Sequence, residues 1–371
     1  MERFSDLLKG KLAFGCMRMQ LDANGEVDLD NFRAMVDCYL QAGFNYFDTA
    51  HVYYDGKSER ALREALTSRY PRESYVFTNK LTSSCFETEA DILPLFQTQL
   101  DLCGVEYFDF YLIHSVLEGN YQKYTDCHAF EIAQELKKQG KVKHVGMSFH
   151  DSPEFLDRVL NEHPELEIVQ IQYNYLDLDD PNVQSQGCMD VLKKHDKPVL
   201  VMEPIKGGGL FFLPDAALEK FSVLNEGSPA EIALRFVAEQ EQVVMILSGM
   251  NNVEQMKENI TFMMDPKPLS SDAHQAIKEV REMMHALKLV ECTGCRYCTD
   301  GCPMEINIPG VFRCVNDKIK FPNRPGSHYG WATRKGGKAS DCIECGQCEE
   351  ICPQHLPIRA LLKQAAEQFE S

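Results

Sequence analysis

The sequence predicts an α/β protein: a (β/α)8 barrel, also called a TIM barrel, followed by a small, mostly α-helical domain. From residue 11 to about residue 264, short β-rich apolar runs alternate with longer helical patterns, which is typical of βα units around a parallel sheet. Eight such units in roughly 250 residues match the size of a closed barrel. After residue 290 the pattern changes to two cysteine-rich runs and intervening helices. The predicted organisation is a barrel over residues 1–264, a connecting helix within 265–289 and a second domain over 290–371.

Each of the eight predicted strands precedes a helical pattern. In the first helix, apolar residues recur at steps of three and four and the pattern ends at Gly43; these residues are Phe32, Met35, Val36, Tyr39 and Leu40. An open doubly wound sheet is the competing topology, but it usually carries G-x-G-x-x-G after its first strand, where this chain has GCMRMQ. The predicted strands are KLAFGCM, FNYFDTA, SYVFTNK, DFYLIHS, KHVGMSF, EIVQIQY, PVLVMEP and VVMILSG.

Three further helices are predicted beyond the barrel. The segment DPKPLSSDAHQAIKEVREMMHA (265–286) begins with prolines and a serine cap and then becomes helical. The segments IPGVFRCVNDKIKF and LPIRALLKQAAEQF follow the two cysteine-rich runs. These patterns make the second domain mostly helical.

Composition limits the classes of function. The chain has 371 residues, 44% of them hydrophobic, and its 38 basic and 56 acidic residues give a net charge of −18. That charge disfavours nonspecific binding to nucleic acid or to an anionic membrane, so neither is an expected partner. The basic run RKGGK, from Arg334 to Lys338, is short and glycine-rich, which predicts a solvated loop. Without an apolar signal segment or an apolar run of about 18 residues, a cytoplasmic location is expected.

Four polar residues stand where the first strands end, namely Asp48, Tyr53, Lys80 and His114. Each has an ordinary structural explanation on its own, but together the four residues have the groups that general acid catalysis by a tyrosine requires. A tyrosine serves as a general acid near neutral pH when a neighbouring cation lowers its pKa, which is about 10 when unperturbed. Lys80 is the predicted cation, Asp48 is its partner, and His114 is a hydrogen-bond donor to a substrate oxygen.

The segments FDTAHVYYDGKSER, VFTNK and FYLIH resemble the signature segments of the aldo-keto reductase family. The resemblance extends over the whole predicted barrel. It implies that hydride from NADP(H) or NAD(H) reduces an aldehyde, ketone or quinone-like carbonyl, with Tyr53 as proton donor and Asp48, Lys80 and His114 in support. The family spacing of five residues from the aspartate selects Tyr53 over the adjacent Tyr54. Histidine at position 114 favours carbonyl over enone reduction.

The same resemblance implies the positions that bind the nicotinamide cofactor. Gln170 matches the glutamine on the carboxamide, and Met202 stands where an aromatic ring commonly stacks. Ser148 matches the serine of a G-x-S-N segment in which Phe149 replaces the asparagine, so His150 is the expected substitute. The positions expected against the pyrophosphate are Pro204, Lys206, Gly207 and Gly208. Those expected at the adenosine end are Gly249, Met250, Asn251, Gln255, Glu258 and Asn259, in a segment without the basic pair that grips a 2′-phosphate in many members.

Eight of the fifteen cysteines fall in two runs, CTGCRYCTDGCP from Cys292 to Pro303 and CIECGQCEEICP from Cys342 to Pro353. Both runs have the spacing C-x2-C-x2-C-x3-C-P. Zinc ribbons also use C-x2-C pairs, and a ribbon needs four thiolates in total. Two C-x2-C pairs would meet that need, so zinc does not explain the evenly spaced third and fourth cysteines of each run. The spacing fits two [4Fe-4S] clusters, in which the first three cysteines of each run hold one cluster and the fourth binds the other.

The predicted cluster ligands follow from that arrangement. One cluster is assigned to Cys292, Cys295, Cys298 and Cys352. The second is assigned to Cys342, Cys345, Cys348 and Cys302. The region resembles bacterial two-cluster ferredoxins and the α-helical ferredoxin modules fused to many oxidoreductases, which implies electron transfer with a partner such as a ferredoxin or a flavoprotein.

Three functions are compatible with the sequence. The leading hypothesis is NAD(P)H-dependent reduction of a small carbonyl substrate, with the clusters relaying single electrons to or from a partner protein. In the second, the clusters only stabilise the C-terminal domain or an oligomer. In the third, the protein is a redox-sensing regulatory subunit, which the complete set of Asp48, Tyr53, Lys80 and His114 argues against.

Overall fold

Eight parallel strands form a closed barrel in the computed structural model, which describes Phe4 and residues 6–370. Each strand pairs with its neighbours in sequence, and β8 closes the barrel against β1. The predicted barrel is therefore confirmed. The strands are β1 (Leu12–Gly15), β2 (Tyr46–Asp48), β3 (Val76–Thr82), β4 (Phe108–Val116), β5 (Val142–Phe149), β6 (Ile168–Gln172), β7 (Val199–Met202) and β8 (Val243–Ser248).

Every helical pattern predicted within the barrel contains a helix. Two further helices, α4 and α8, carry the sequences EGNYQKYTD and DAALEKFS, which are too short and too polar to show a clear apolar stripe. A turn of π-helix over Arg63–Thr67 continues α2. The helices are α1 (Leu29–Gln41), α2 (Lys57–Leu62), α3 (Glu89–Cys103), α4 (Glu118–Asp126), α5 (Ala129–Lys138), α6 (Pro153–Glu162), α7 (Ser185–Lys194), α8 (Asp215–Ser222), α9 (Pro229–Ala238) and α10 (Val253–Met263).

Buried side chains from the strands fill the interior of the barrel. Ala13, Tyr46, Phe110 and Leu112 belong to one buried cluster with residues of β6, β7 and β8. β5 contributes Gly146 beside this cluster, where a Cβ atom would lie 2.9 Å from Leu112 Cδ2 and would also meet the backbone of β6. Because the interior is packed, polar chemistry is confined to the ends of the strands.

Contacts divide the chain into two compact units, Met1–Gly207 with Gly227–Ser271, and Gly208–Glu226 with Asp272–Ser371. The second unit therefore includes α8, which the sequence assigned to the barrel. One contact responsible is an ion pair of 2.7 Å between the Lys220 ammonium and the Glu279 carboxylate of α11. The later helices are α11 (Ser271–His285), α12 (Tyr297–Asp300), α13 (Ile308–Lys320), α14 (Tyr329–Ala332), α15 (Gln347–Glu350) and α16 (Ile358–Phe369).

The core of the second unit lies between α13, α14 and α16. Val311 and Phe312 of α13 are fully buried, as are Leu362 and Ala365 of α16. These residues share one apolar cluster with several cysteines of the two runs. Within the described residues, no helix combines the length and the apolarity that crossing a membrane requires.

Candidate functional site

The four residues proposed for catalysis lie together at the C-terminal ends of β2, β3 and β4. Lys80 Nζ donates hydrogen bonds to Asp48 Oδ1 at 2.5 Å and to the carbonyl oxygen of Thr49 at 2.7 Å. The Tyr53 hydroxyl accepts from the same ammonium at 3.5 Å. The Tyr53 ring meets His114 edge to face, with 6.0 Å between ring centroids. One cation thus contacts a carboxylate and a phenol beside an imidazole.

Burial and the buried ion pair set the protonation of these groups. Burial lowers the pKa of Lys80, but the Asp48 carboxylate and the Tyr53 hydroxyl outweigh it, so the pKa is raised and the ammonium persists. Burial raises the pKa of Tyr53, and the opposing effect of Lys80 is smaller. The direction of this pKa shift therefore contradicts the expectation that Lys80 brings the pKa of Tyr53 below its ordinary value. Tyr53 is protonated at neutral pH.

His114 is held as a neutral imidazole. Its pKa lies well below the ordinary value because of burial and, second, the charge of Lys80. Its Nδ1 atom lies 2.6 Å from the hydroxyl oxygen of Thr82, which is its cross-strand partner in β3. When the Thr82 hydroxyl donates to Nδ1, the ring proton resides on Nε2 and is available to a substrate oxygen.

A buried polar network supports the loop that carries Tyr53. Its residues lie within FDTAHVYYDGKSER and VFTNK, but the sequence assigned them no role. Glu59 of α2 is fully buried, and its carboxylate accepts from Asn79 Nδ2 at 2.8 Å and lies 2.7 Å from His51 Nδ1. Asn79 Oδ1 in turn accepts from the backbone amide of Lys80 at 2.8 Å. The network therefore links the Tyr53 loop to the strand that carries Lys80.

The residues proposed for the nicotinamide end surround the same rim. Gln170 is buried on β6, with its Nε2 atom 3.5 Å from Asp48 Oδ2. Ser148 is buried on β5, where its hydroxyl oxygen accepts from a β4 backbone amide at 2.6 Å. Met202 ends β7 and is partly buried, and His150 directly follows β5 with an exposed side chain. The structure thus brings Gln170 next to Asp48.

The segment after β7 differs from a simple flexible glycine turn. Lys206 forms an ion pair with the buried carboxylate of Asp177, which also accepts from two side-chain amides. Pro204 is buried, and Gly207 and Gly208 have φ angles of 60° and 88°. The charge of Lys206 is compensated locally, so the backbone of the two glycines is the part of this segment that suits a phosphate.

Arg18 is a further residue of this rim that the sequence did not indicate. A Cβ atom on Gly249 would lie 2.8 Å from Arg18 Cδ, so the arginine side chain crosses directly over this glycine. Arg18 Nη2 donates to Glu203 Oε1 at 3.1 Å. A single arginine within GCMRMQ has no recognisable motif, and only the closure of β1 against β8 brings it to Gly249.

The residues proposed for the adenosine end include an unsatisfied acceptor. Asn259 is buried, and its Nδ2 atom donates to the carbonyl oxygen of Gln255 at 2.8 Å. Its Oδ1 atom is buried without a hydrogen-bond partner among the described residues. A free buried acceptor suits the exocyclic amino group of adenine, so these residues fit a nicotinamide dinucleotide. Of the other proposed positions, Met250 is buried and Asn251, Gln255 and Glu258 are exposed.

The eight cysteines of the two runs surround two cavities of the second unit. Three cysteines of each cavity come from one run and the fourth comes from the other. Cys292, Cys295, Cys298 and Cys352 line the first cysteine cavity. Cys302, Cys342, Cys345 and Cys348 line the second cysteine cavity. No three His, Cys, Asp or Glu side chains in the described chain converge as ligands of a single metal ion.

This arrangement arises because the two runs adopt the same backbone conformation. Each run forms a four-residue helix, α12 or α15, and then continues into α13 or α16. Left-handed residues recur at matching places fifty positions apart: Gly294 with Glu344, Arg296 with Gly346, and Glu305 with His355. The two halves are therefore structural repeats. Four soft thiolate ligands at an otherwise largely apolar wall suit an iron-sulfur cluster in each cavity.

Comparison with known families identifies both parts of the chain. Residues 11–282 match the model of the aldo/keto reductase family. The chain belongs to the aldo/keto reductase family. It is accordingly an oxidoreductase. Residues 291–357 match a 4Fe-4S dicluster domain, so this aldo/keto reductase carries an iron-sulfur region after its barrel.

Relatives of this aldo/keto reductase have low sequence identity over most of the barrel. The dihydrodiol dehydrogenase 3 of Bos taurus is 25% identical over 250 residues, which are 60% of this chain and 74% of that protein. The NADH-specific methylglyoxal reductase of Escherichia coli is 25% identical over 309 residues, which are 71% of this chain and 91% of that protein.

Solved structures share the fold of this aldo/keto reductase. An aldo-keto reductase from Bacillus halodurans superposes with a TM-score of 0.61 at 22% identity and covers 74% of this chain and 93% of its own. One from Klebsiella pneumoniae, in complex with NADP and acetate, gives a TM-score of 0.60 at 18% identity and covers 73% of this chain and 91% of its own.

Proposed function

We propose that this aldo/keto reductase reduces an aldehyde, ketone or quinone-like carbonyl with NADPH or NADH, and that two [4Fe-4S] clusters relay electrons to or from a partner protein. The contact of one buried ammonium, on Lys80, with both Asp48 and Tyr53 carries the proposal. When bound, the nicotinamide supplies hydride and the clusters supply single-electron transfer. Similarity to the E. coli methylglyoxal reductase supports a small carbonyl substrate.

Tyr53 is the proposed proton donor. Burial keeps its pKa above the ordinary value, so the hydroxyl is protonated before reaction. The Lys80 ammonium, 3.5 Å away, stabilises the negative charge that develops on the phenol oxygen as the proton moves to the carbonyl oxygen. Asp48 holds that ammonium in place at 2.5 Å and compensates its charge. A rigid ion pair of this kind need not reorganise during the transfer.

His114 is the proposed orienting group for the carbonyl. When the Thr82 hydroxyl donates to Nδ1 of the neutral imidazole, Nε2–H is the donor that His114 offers to a substrate. That donor binds the same oxygen that receives the Tyr53 proton, without adding a second positive charge beside Lys80. Gln170, next to Asp48, is the proposed partner of the nicotinamide carboxamide.

The adjacent tyrosines provide a matched test of the proton donor. Tyr53→Phe removes the hydroxyl next to Lys80, whereas Tyr54→Phe removes one that donates to the Met19 carbonyl oxygen at 3.3 Å. General acid catalysis contributes about 10²–10⁴-fold, so kcat for methylglyoxal or a quinone should fall by that factor in Tyr53→Phe. Tyr54→Phe should keep kcat within a few-fold. Equal activity of Tyr53→Phe and the unsubstituted enzyme would disprove the assignment.

The clusters require a separate measurement on anaerobically purified protein. Iron and sulfide analysis should give about eight irons per chain, and EPR of the dithionite-reduced protein should show two [4Fe-4S] signals. Cys352→Ser should weaken the signal assigned to the first cysteine cavity, whereas Cys314→Ser, a buried cysteine outside both runs, should leave both. Reduced clusters that no substrate or carrier protein reoxidises would instead support a purely structural role.

A further inference from the structure

The basic run RKGGK lies directly against the wall of the second cysteine cavity. The backbone amide of Gly337 donates to the carbonyl oxygen of Met304 at 3.1 Å, and Met304 lines that cavity. A Cβ atom on Gly337 would overlap the same oxygen, and one on Gly336 would overlap the carbonyl oxygen of Glu305. Only glycines allow this approach, so the loop is anchored beside the cavity rather than freely solvated.

The cations of the anchored loop are exposed, as is the aromatic ring of Trp331, which precedes the loop. Trp331, the single tryptophan of the chain, is 63% exposed, and the Arg334 guanidinium carbon lies 4.9 Å from its ring centre. Arg334 and Lys335 are exposed, and neither forms an ion pair in the described part of the chain. Lys338 differs because its charge interacts with the Glu370 carboxylate. We call Trp331, Arg334 and Lys335 the Trp331 face.

The surroundings of the second cysteine cavity also expose an apolar side chain. Ile343 lines the cavity and is 60% exposed. Exposed tryptophan and arginine side chains are enriched at protein interfaces. The Trp331 face therefore has the character of a recognition surface next to a redox site.

We propose that the Trp331 face docks an acidic one-electron carrier protein of the ferredoxin type, an inference that rests on the proposed electron relay. The chain carries a net charge of −18, so an acidic carrier is repelled by most of its surface. The positive charges of Arg334 and Lys335, which no ion pair in the described chain compensates, attract an acidic carrier to this face. In each encounter the carrier loses one electron and the iron-sulfur domain gains one, or the reverse, with no bond or proton change.

Charge reversal at the face tests the proposal in the holoenzyme. The variant is Arg334→Glu with Lys335→Glu, and the matched control is Lys278→Glu with Lys288→Glu, which has the same net charge and alters exposed lysines in or after α11. The donors are an acidic plant-type [2Fe-2S] ferredoxin and methyl viologen, both reduced, and stopped-flow absorbance follows cluster reduction. The face variant should be reduced by ferredoxin about tenfold more slowly at low ionic strength, with a smaller salt dependence.

The controls separate this inference from the electron relay on which it rests. Methyl viologen should reduce all three proteins at equal rates, and the Lys278 and Lys288 variant should react with ferredoxin within about twofold of the unsubstituted enzyme. Equal slowing in both charge variants would overturn the docking site. Failure of both donors to reduce the clusters would overturn the relay itself and the docking proposal with it.

The single tryptophan gives a readout that does not depend on turnover. Titration with a ferredoxin that lacks tryptophan should change the fluorescence of Trp331, and 0.5 M salt should reverse the change. The charge-reversal variant should show no saturable change at the same concentrations. If the charge-reversal variant shows the same saturable, salt-sensitive fluorescence change as the unsubstituted protein, the proposed face is contradicted.

Discussion

Replacing Lys80 with methionine should destabilise the barrel as well as abolish carbonyl reduction. The side chains of Lys80 and Asp48 are 1% and 3% exposed, and their charged atoms lie 2.5 Å apart. Methionine leaves the Asp48 carboxylate buried with Gln170 Nε2 at 3.5 Å, and it also removes the donor to the Thr49 carbonyl oxygen. Breaking a buried ion pair by removing one partner costs about 3–5 kcal/mol. A loss of that size is a large fraction of the roughly 5–15 kcal/mol that stabilises a typical domain.

A double-mutant cycle with Asp48→Asn isolates the interaction. Lys80→Met leaves the Asp48 carboxylate buried without its cation, and Asp48→Asn leaves the Lys80 ammonium buried without its carboxylate. The double variant contains neither charge. The double variant should therefore lose less stability than the sum of the losses of the two single variants. The difference in free energy of unfolding should be at least about 2 kcal/mol. Carbonyl reduction should be absent in all three variants. Tyr53 lacks the Lys80 ammonium in two of them, and in Asp48→Asn the ammonium lacks the carboxylate that holds it in place.

Urea unfolding followed by circular dichroism at pH 7 measures the cycle. Tyr53→Phe is the control, since it removes the hydroxyl of the proposed proton donor without leaving a buried charge unpaired. Its unfolding midpoint should stay close to that of the unsubstituted protein. Strictly additive losses for Lys80→Met and Asp48→Asn would refute the reasoning, because they would show that the two side chains do not stabilise each other.

Three further predictions test other parts of the barrel. The hydrogen bond that His51 donates to the Glu59 carboxylate raises the pKa of His51. This pair therefore stabilises the protein fully below the ordinary histidine pKa of about 6.5 and less as pH rises through the raised value. His51→Gln should therefore lower the urea midpoint more at pH 6 than at pH 9, and an equal loss at both would contradict the pairing. Gly146→Ala should destabilise the barrel by about 1–3 kcal/mol through overpacking, whereas Gly119→Ala, which meets no atom within 4 Å, should not; differential scanning calorimetry decides. Asn259→Ala removes one hydrogen-bond acceptor and should raise the Kd for NADPH roughly twofold to tenfold by isothermal titration calorimetry, and an unchanged Kd would place adenine elsewhere.

Several features of this protein follow from local sequence patterns. Alternation of apolar strands and helical stripes predicts the barrel because both periodicities are properties of short segments. Asp48, Tyr53, Lys80 and His114 could be proposed as one site because parallel strands gather their C-terminal ends at one rim. The cysteine spacing indicates an iron-sulfur region for a similar reason, since ligands close in sequence limit which metal centre can form.

Other features depend on contacts between segments that are distant in sequence. Burial makes the pKa of Tyr53 higher than the neighbouring Lys80 alone implies. The pairing of Lys206 with Asp177 and the packing of Arg18 over Gly249 exist only once the barrel closes. The loop RKGGK is anchored because Gly336 and Gly337 pack against the carbonyl oxygens of Glu305 and Met304, which are distant in sequence. Sequence alone determined the type of fold and the residues available for chemistry, whereas the tertiary structure decided their charge states and neighbours, because desolvation and contact distance are properties of the folded chain.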